Sequence, residues 1–226
     1  GGYVEKMDPN VDYKDQMPRI APMEPEQSMK TFRLVPGLRL EQVATEPLVA
    51  DVVDMTFDEN GRMYVAELIT YAEFYDENGR MYAGELTTHA ELQQKGGVVT
   101  NTSRVSLLED EDGDGRFDTS TIFADGLSWP AGLTCFDGGL FVASMPEVIY
   151  LKDTDGDNKA DIREVVLSGF STSNPVICPN SLRWGLDNRV HGMGSGAKLA
   201  AVMWGNVAAG RKAEPVAAGG RDFSLD

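Results

Sequence analysis

The chain predicts an all-β fold, and three observations carry that expectation. Short apolar strands alternate with tight turns rich in Gly, Asn and Asp from near Leu38 onward. Two acidic loops, at 110–118 and 153–161, start 43 residues apart, so a unit of that size repeats. Strand–turn–strand units recur at roughly 40–50 residues with four strands each, the spacing of propeller blades. Together they predict a partial β-propeller of about three blades, with calcium-binding outer hairpin loops.

Residues 1–36 are rich in Pro, Met and acids, and read as an irregular lead-in with one helical turn near 25–30. The partial propeller occupies 37–226. Its first unit runs through 52–57, turns at Asp58-Glu59-Asn60-Gly61 and returns through 62–67. Asn-Gly between apolar stretches is the strongest short hairpin signal, because both residues tolerate positive φ. The heptapeptide DENGRMY at 58–64 recurs at 76–82, and the likeness continues through Glu67/Glu85 and Leu68/Leu86. An offset of 18 residues is too short for a blade. It predicts one added exposed hairpin: a tolerated surface insertion, or an added binding loop.

An outer hairpin follows, 105–108 and 120–124 around the first acidic loop. The second unit repeats the plan: 132–136, a turn at Asp137-Gly138-Gly139, 140–144, then 148–151 and 164–167 around the second loop. The third begins with 181–186, a turn at Asp187-Asn188 and 189–192. Beyond Gly192 the chain turns Gly- and Ala-rich, with a new strand starting near Val216. Gly192, Gly194 and Ala197 fit G-x-G-x-x-A, but no buried strand precedes them and Lys212 stands where an acid is needed. This reads as a glycine-rich loop. Closed propellers usually need about four to eight blades, so a count of about three predicts a fragment of a larger propeller.

Each acidic loop puts carboxylates at loop positions 1, 3, 5 and 9: Asp110, Asp112, Asp114 and Asp118, then Asp153, Asp155, Asp157 and Asp161. Calcium takes oxygens in this arrangement, with a backbone carbonyl from position 7, here Arg116 and Lys159. Position 6 needs a sharp turn, supplied by Gly115 and, in the second loop, by Asn158. Position 12 is Glu164 in the second loop and Thr121 in the first. The flanks read as strands, which predicts calcium-clipped hairpins rather than the helical flanks of an EF-hand. The plainer alternative is that Asp and Gly merely build Asx-turns. Crowded carboxylates repel unless a cation neutralises them, which favours the metal.

Composition narrows the function. The 226 residues carry 20 basic and 36 acidic side chains, a net charge of −16, which argues against nucleic acid as a partner. Hydrophobic residues make up 42% and mean hydropathy is −0.27; no apolar run approaches the roughly 18 residues of a membrane span. No charged and apolar leader opens the chain, so no signal peptide is expected within it. Cys135 and Cys178 fit either a disulfide or two buried thiols. No C-x-x-C-H occurs, so haem is not expected on this chain. His89 falls in the duplicated hairpin, and His191 just after an inner strand, where propeller loops rim a central channel. His191 is thus a candidate base, with Glu67 at the matching point of the first unit, although a lone histidine is more often structural. Arg183 and Trp184 are candidates for the same rim.

Several segments together resemble a known family: MKTFRLVPGLRLEQVATEPL at 29–48, the hairpin at 57–67, 107–118, FADGL at 123–127, YLKDTDGD at 150–157, NSLRWGLD at 180–187 and GRDF at 220–223. Their order and wording are similar to the N-terminal propeller of the PVC-type membrane-bound dehydrogenases, themselves distantly similar to soluble quinoprotein sugar dehydrogenases. The resemblance implies an extracytoplasmic protein, periplasmic or at the cell surface, oxidising sugars or polyols. It implies pyrroloquinoline quinone as a cofactor, with no residue here assignable to it. Further blades and a cytochrome-like haem domain are expected in the full-length protein. The alternative expectation is a non-catalytic propeller module that binds glycan or protein.

Overall fold

A computed structural model describes residues 23–68, 103–170, 179–194, 198–201, 216–217 and 222–225. The second copy of the duplicated heptapeptide, with His89, and also Cys178 and Lys212, lie outside the described residues. The chain divides into two compact units, Gly1–Gln42 and Val43–Asp226. In the first, the helix α1 spans Pro25–Met29. Proline at its first turn costs no hydrogen bond there, and Glu26 complements the positive end of the helix dipole.

The second unit is built of antiparallel sheets. Strands β1 (Val52–Phe57), β2 (Met63–Glu67), β3 (Ser103–Glu109) and β4 (Thr119–Leu127) form a four-stranded sheet in chain order. Next come β5 (Pro130–Phe136), β6 (Gly139–Ser144), β7 (Glu147–Lys152) and β8 (Ile162–Ser168), again in chain order. The third sheet holds β9 (Asn180–Trp184), β10 (Val190–Met193) and β13 (Asp222–Leu225), with β10 in the middle. Two short strands, β11 (Lys198–Ala201) and β12 (Val216–Ala217), continue the second sheet beyond β8. The motif at 192–197, read from the sequence as a glycine-rich loop, gives Gly192 and Met193 to β10. Beyond it, Ala200 and Ala201 pair with Ser168 and Leu167, covering backbone groups that an edge strand would leave open.

The turns follow their residues. Asp137 and Gly138 both take positive φ (47° and 67°), so two residues join β5 to β6. In the β1–β2 turn only Gly61, at +80°, does so. Asn60 does not adopt the expected geometry, because the Asp58 carboxylate takes over. It accepts the Asn60 and Arg62 backbone N–H groups (2.9 and 3.0 Å) and the Arg62 Nε–H (2.7 Å).

Strand periodicity sorts the core. Tyr64, Ala66, Val105, Leu107, Phe123 and Leu127 of the first sheet pack on Leu133, Leu140, Val142, Ile149 and Leu151 of the second. The alternate residues of the second sheet, Phe141, Ala143, Val148 and Tyr150, pack on Leu182 and Val190 of the third. A middle sheet buried on both faces needs apolar residues at every position, and β6 and β7 are nearly continuous apolar runs. The first strands of the three sheets lie side by side, β5 between β1 and β9. The close fit depends on Gly132, where a Cβ would stand 2.9 Å from the Ser181 backbone nitrogen.

Candidate metal centres

Both acidic loops occupy the same place. The first joins β3 to β4 and the second joins β7 to β8, the hairpin between the third and fourth strands of each sheet in chain order. Their internal wiring also corresponds. Asp110 accepts the Gly113 and Gly115 N–H groups at 2.7 and 2.9 Å; Asp153 accepts those of Gly156 and Asn158 at the same two distances. Asp114 takes the Arg116 N–H at 2.8 Å, and Asp157 that of Lys159 at 2.9 Å. Asp118 takes the Glu111 N–H at 2.9 Å, and Asp161 that of Thr154 at 2.8 Å. Gly115 and Asn158 both lie in the left-handed region (φ 89° and 66°), so the asparagine makes the turn expected of it.

This wiring draws carboxylates together. One oxygen each from Asp110, Asp112 and Asp114 lie within 4.8 Å of one another, and so do oxygens of Asp153, Asp155 and Asp161. The third oxygen comes from position 5 in the first loop and from position 9 in the second, while Asp118 and Asp157 stand outside the trios, although all four carboxylates accept backbone N–H groups. Glu164 stands in β8 opposite Tyr150, three residues past Asp161. The second loop favours ionised carboxylates. The little desolvation Asp153 suffers pushes its pKa up, but the N–H groups of Gly156, Asn158 and Asp155 outweigh it and hold the pKa below the ordinary value. The Thr154 N–H, then its hydroxyl, do the same for Asp161. Anionic oxygens with unused lone pairs, clustered at the surface, are donors suited to a hard divalent cation. Beside Asp110 an open cleft of about 540 Å³ is lined by Asn60, Gly61, Arg62, Glu109 and Glu111.

The candidate bases differ in setting. His191 Nε2 lies 2.9 and 3.0 Å from the two oxygens of Asp187, and both side chains are about half exposed. That hydrogen bond holds Asp187 below the ordinary aspartate pKa. The imidazole crosses Gly185, where a Cβ would come within 2.6 Å of it. Trp184 is 46% exposed and donates its indole N–H to the Cys135 carbonyl. Glu67 is fully buried. Its carboxylate accepts from the Ala50 N–H (2.7 Å), the Arg104 guanidinium (2.6 and 3.2 Å) and the Ser106 hydroxyl (2.5 Å). Desolvation pushes its pKa up, but these donors together outweigh it and hold it below the ordinary value. A carboxylate so engaged is a weak base. Cys135 carries a free thiol, pushed up to about 11 by burial.

Three partnerships escape sequence reading. Asp187 as the partner of His191 had a signal, since the two flank one tight turn. Asp54 accepts the Leu133 N–H of β5 at 2.8 Å and a bidentate Arg183 of β9 at 2.7 and 3.1 Å, with nothing local to announce it. Asn158 reaches Arg62 and Glu109 of the first sheet. Comparison with curated proteins and with solved structures finds no match to this chain. The family described as a domain of unknown function (DUF7133) matches residues 24–226, nearly the whole length, and the chain belongs to it.

Proposed function

We propose that this chain is a calcium-stabilised β-propeller domain of an extracytoplasmic dehydrogenase-like protein acting on sugars or polyols. The observation that carries the calcium reading is the repetition of one backbone hydrogen-bond pattern at the same hairpin of consecutive sheets, with a carboxylate trio gathered in each loop. Side-by-side first strands support the propeller reading, because blades radiate from such a row. The dehydrogenase reading rests on the sequence resemblance alone, and no residue is assigned to pyrroloquinoline quinone. Calcium at a hundredfold over its Kd adds about 2.7 kcal/mol per site, which raises Tm by about 5–10 °C in a domain of this size. Asp112→Ala and Asp155→Ala are each expected to remove part of that rise. A melting curve indifferent to calcium and to chelator leaves Asx-turns as the whole account of the loops.

A second reading, a propeller that binds glycan or protein without chemistry, is favoured by Glu67, whose carboxylate is sealed among four donors. The full-length protein decides between the two. Dye-linked oxidation of a sugar panel, with pyrroloquinoline quinone and calcium added, that is lost on His191→Ala supports the enzyme. Glycan binding without turnover supports the module.

A further inference from the structure

We propose that the 153–161 loop is a latch between the first and second sheets, and that Asn158 transmits the state of the loop to the first sheet. The two loops match internally but diverge in what they touch. From the second, the Asn158 Oδ1 accepts Arg62 Nη1–H at 3.2 Å, while its Nδ2–H donates to Glu109 at 2.8 Å. Two residues on, the Ala160 N–H donates to the Phe123 carbonyl of β4 at 2.8 Å. Next to the loop, Arg163 in β8 donates to the carbonyls of Asp125 and Gly126 (3.0 and 3.3 Å). In the first loop the residue matching Asn158 is Gly115, which has no side chain to reach out. The residue matching Ala160 is Phe117, whose N–H donates to Val43 rather than to another sheet.

The asparagine therefore has a reason to replace glycine at position 6. It holds the left-handed turn and spends its amide across the interface, both ends satisfied by partners of the right polarity. Arg62 is itself positioned by Asp58 at 2.7 Å, so the latch runs on into the β1–β2 turn. Whatever orders this loop tightens one sheet on the other. With a divalent cation as the ordering agent, the inference rests on the calcium reading above; the latch itself needs only Asn158 and its partners.

The test is hydrogen exchange on the whole chain, wild type and Asn158→Gly, with and without calcium chloride. Glycine keeps the φ of 66° without strain, so the variant removes only the amide. Exchange is expected to rise about tenfold at Ala160 and across the 58–62 turn, with 110–118 unchanged. A rise confined to 153–161 overturns the latch. Calcium is expected to slow exchange at 153–161 and at 58–62 in the wild type, but only at 153–161 in the variant. Slowing at both segments in both proteins also overturns it. No slowing anywhere removes the calcium reading, and the metal-free comparison still decides the latch.

Discussion

Glu67, a candidate base in the sequence, has its oxygens fully engaged in the fold. It ends β2 opposite Arg104, its cross-strand partner, and its oxygens are spent on backbone, guanidinium and hydroxyl donors. Arg104 keeps 27% of its side chain exposed, so losing the Glu67 charge leaves it partly solvated rather than stranded. Glu67→Gln is expected to cost about 1–3 kcal/mol in urea unfolding at neutral pH. Because the folded pKa lies below the free value of 4.5, the unfolded chain takes the proton first as pH falls. The contribution is complete above the free value and drains away as pH drops through the folded one. The variant should therefore flatten the acid limb of the stability curve. An unchanged acid limb would show that Glu67 is not the titrating group. Asp187 carries the same sign, but at the surface solvent screens it to little effect.

At the level of strands and loops, much was legible. Period-2 patterns and turn residues place the first hairpin of each sheet and the hairpins around both acidic loops to within three residues, because turn chemistry is local. The acidic loops were legible for the same reason, down to the left-handed Asn158. What stayed hidden is non-local. Nothing near residues 198–201 says that they extend the second sheet, since edge pairing depends on what β8 leaves open. Gly132 looked like one more strand glycine, and its role lies in how near β9 comes. Gly132→Ala drives a methyl group into the Ser181 and Leu182 backbone, and is expected to cost about 1–3 kcal/mol. Its signature would be faster exchange in β5 and β9 while β3 and β4 stay protected. Equal loosening of all strands would deny the local clash.

Across the whole molecule, the acidic excess of −16 is partly gathered at the two loops, so calcium should act on stability and on colloidal behaviour together. The sheets are joined at two places. At one, the 153–161 loop bridges the first pair. At the other, Asp54 touches β5 and β9 at once. Asp54→Ala is expected to raise exchange in β1, β5 and β9 together; a response in β1 alone would refute a shared fastening. That fastening also sets an order of events during synthesis. Arg183 leaves the ribosome 129 residues after Asp54, a lag of roughly 6–26 s at ordinary elongation rates. Throughout that interval the nascent first sheet presents an acid with no guanidinium to answer it. The third sheet's first strand, not the first sheet's own residues, completes the Asp54 fastening.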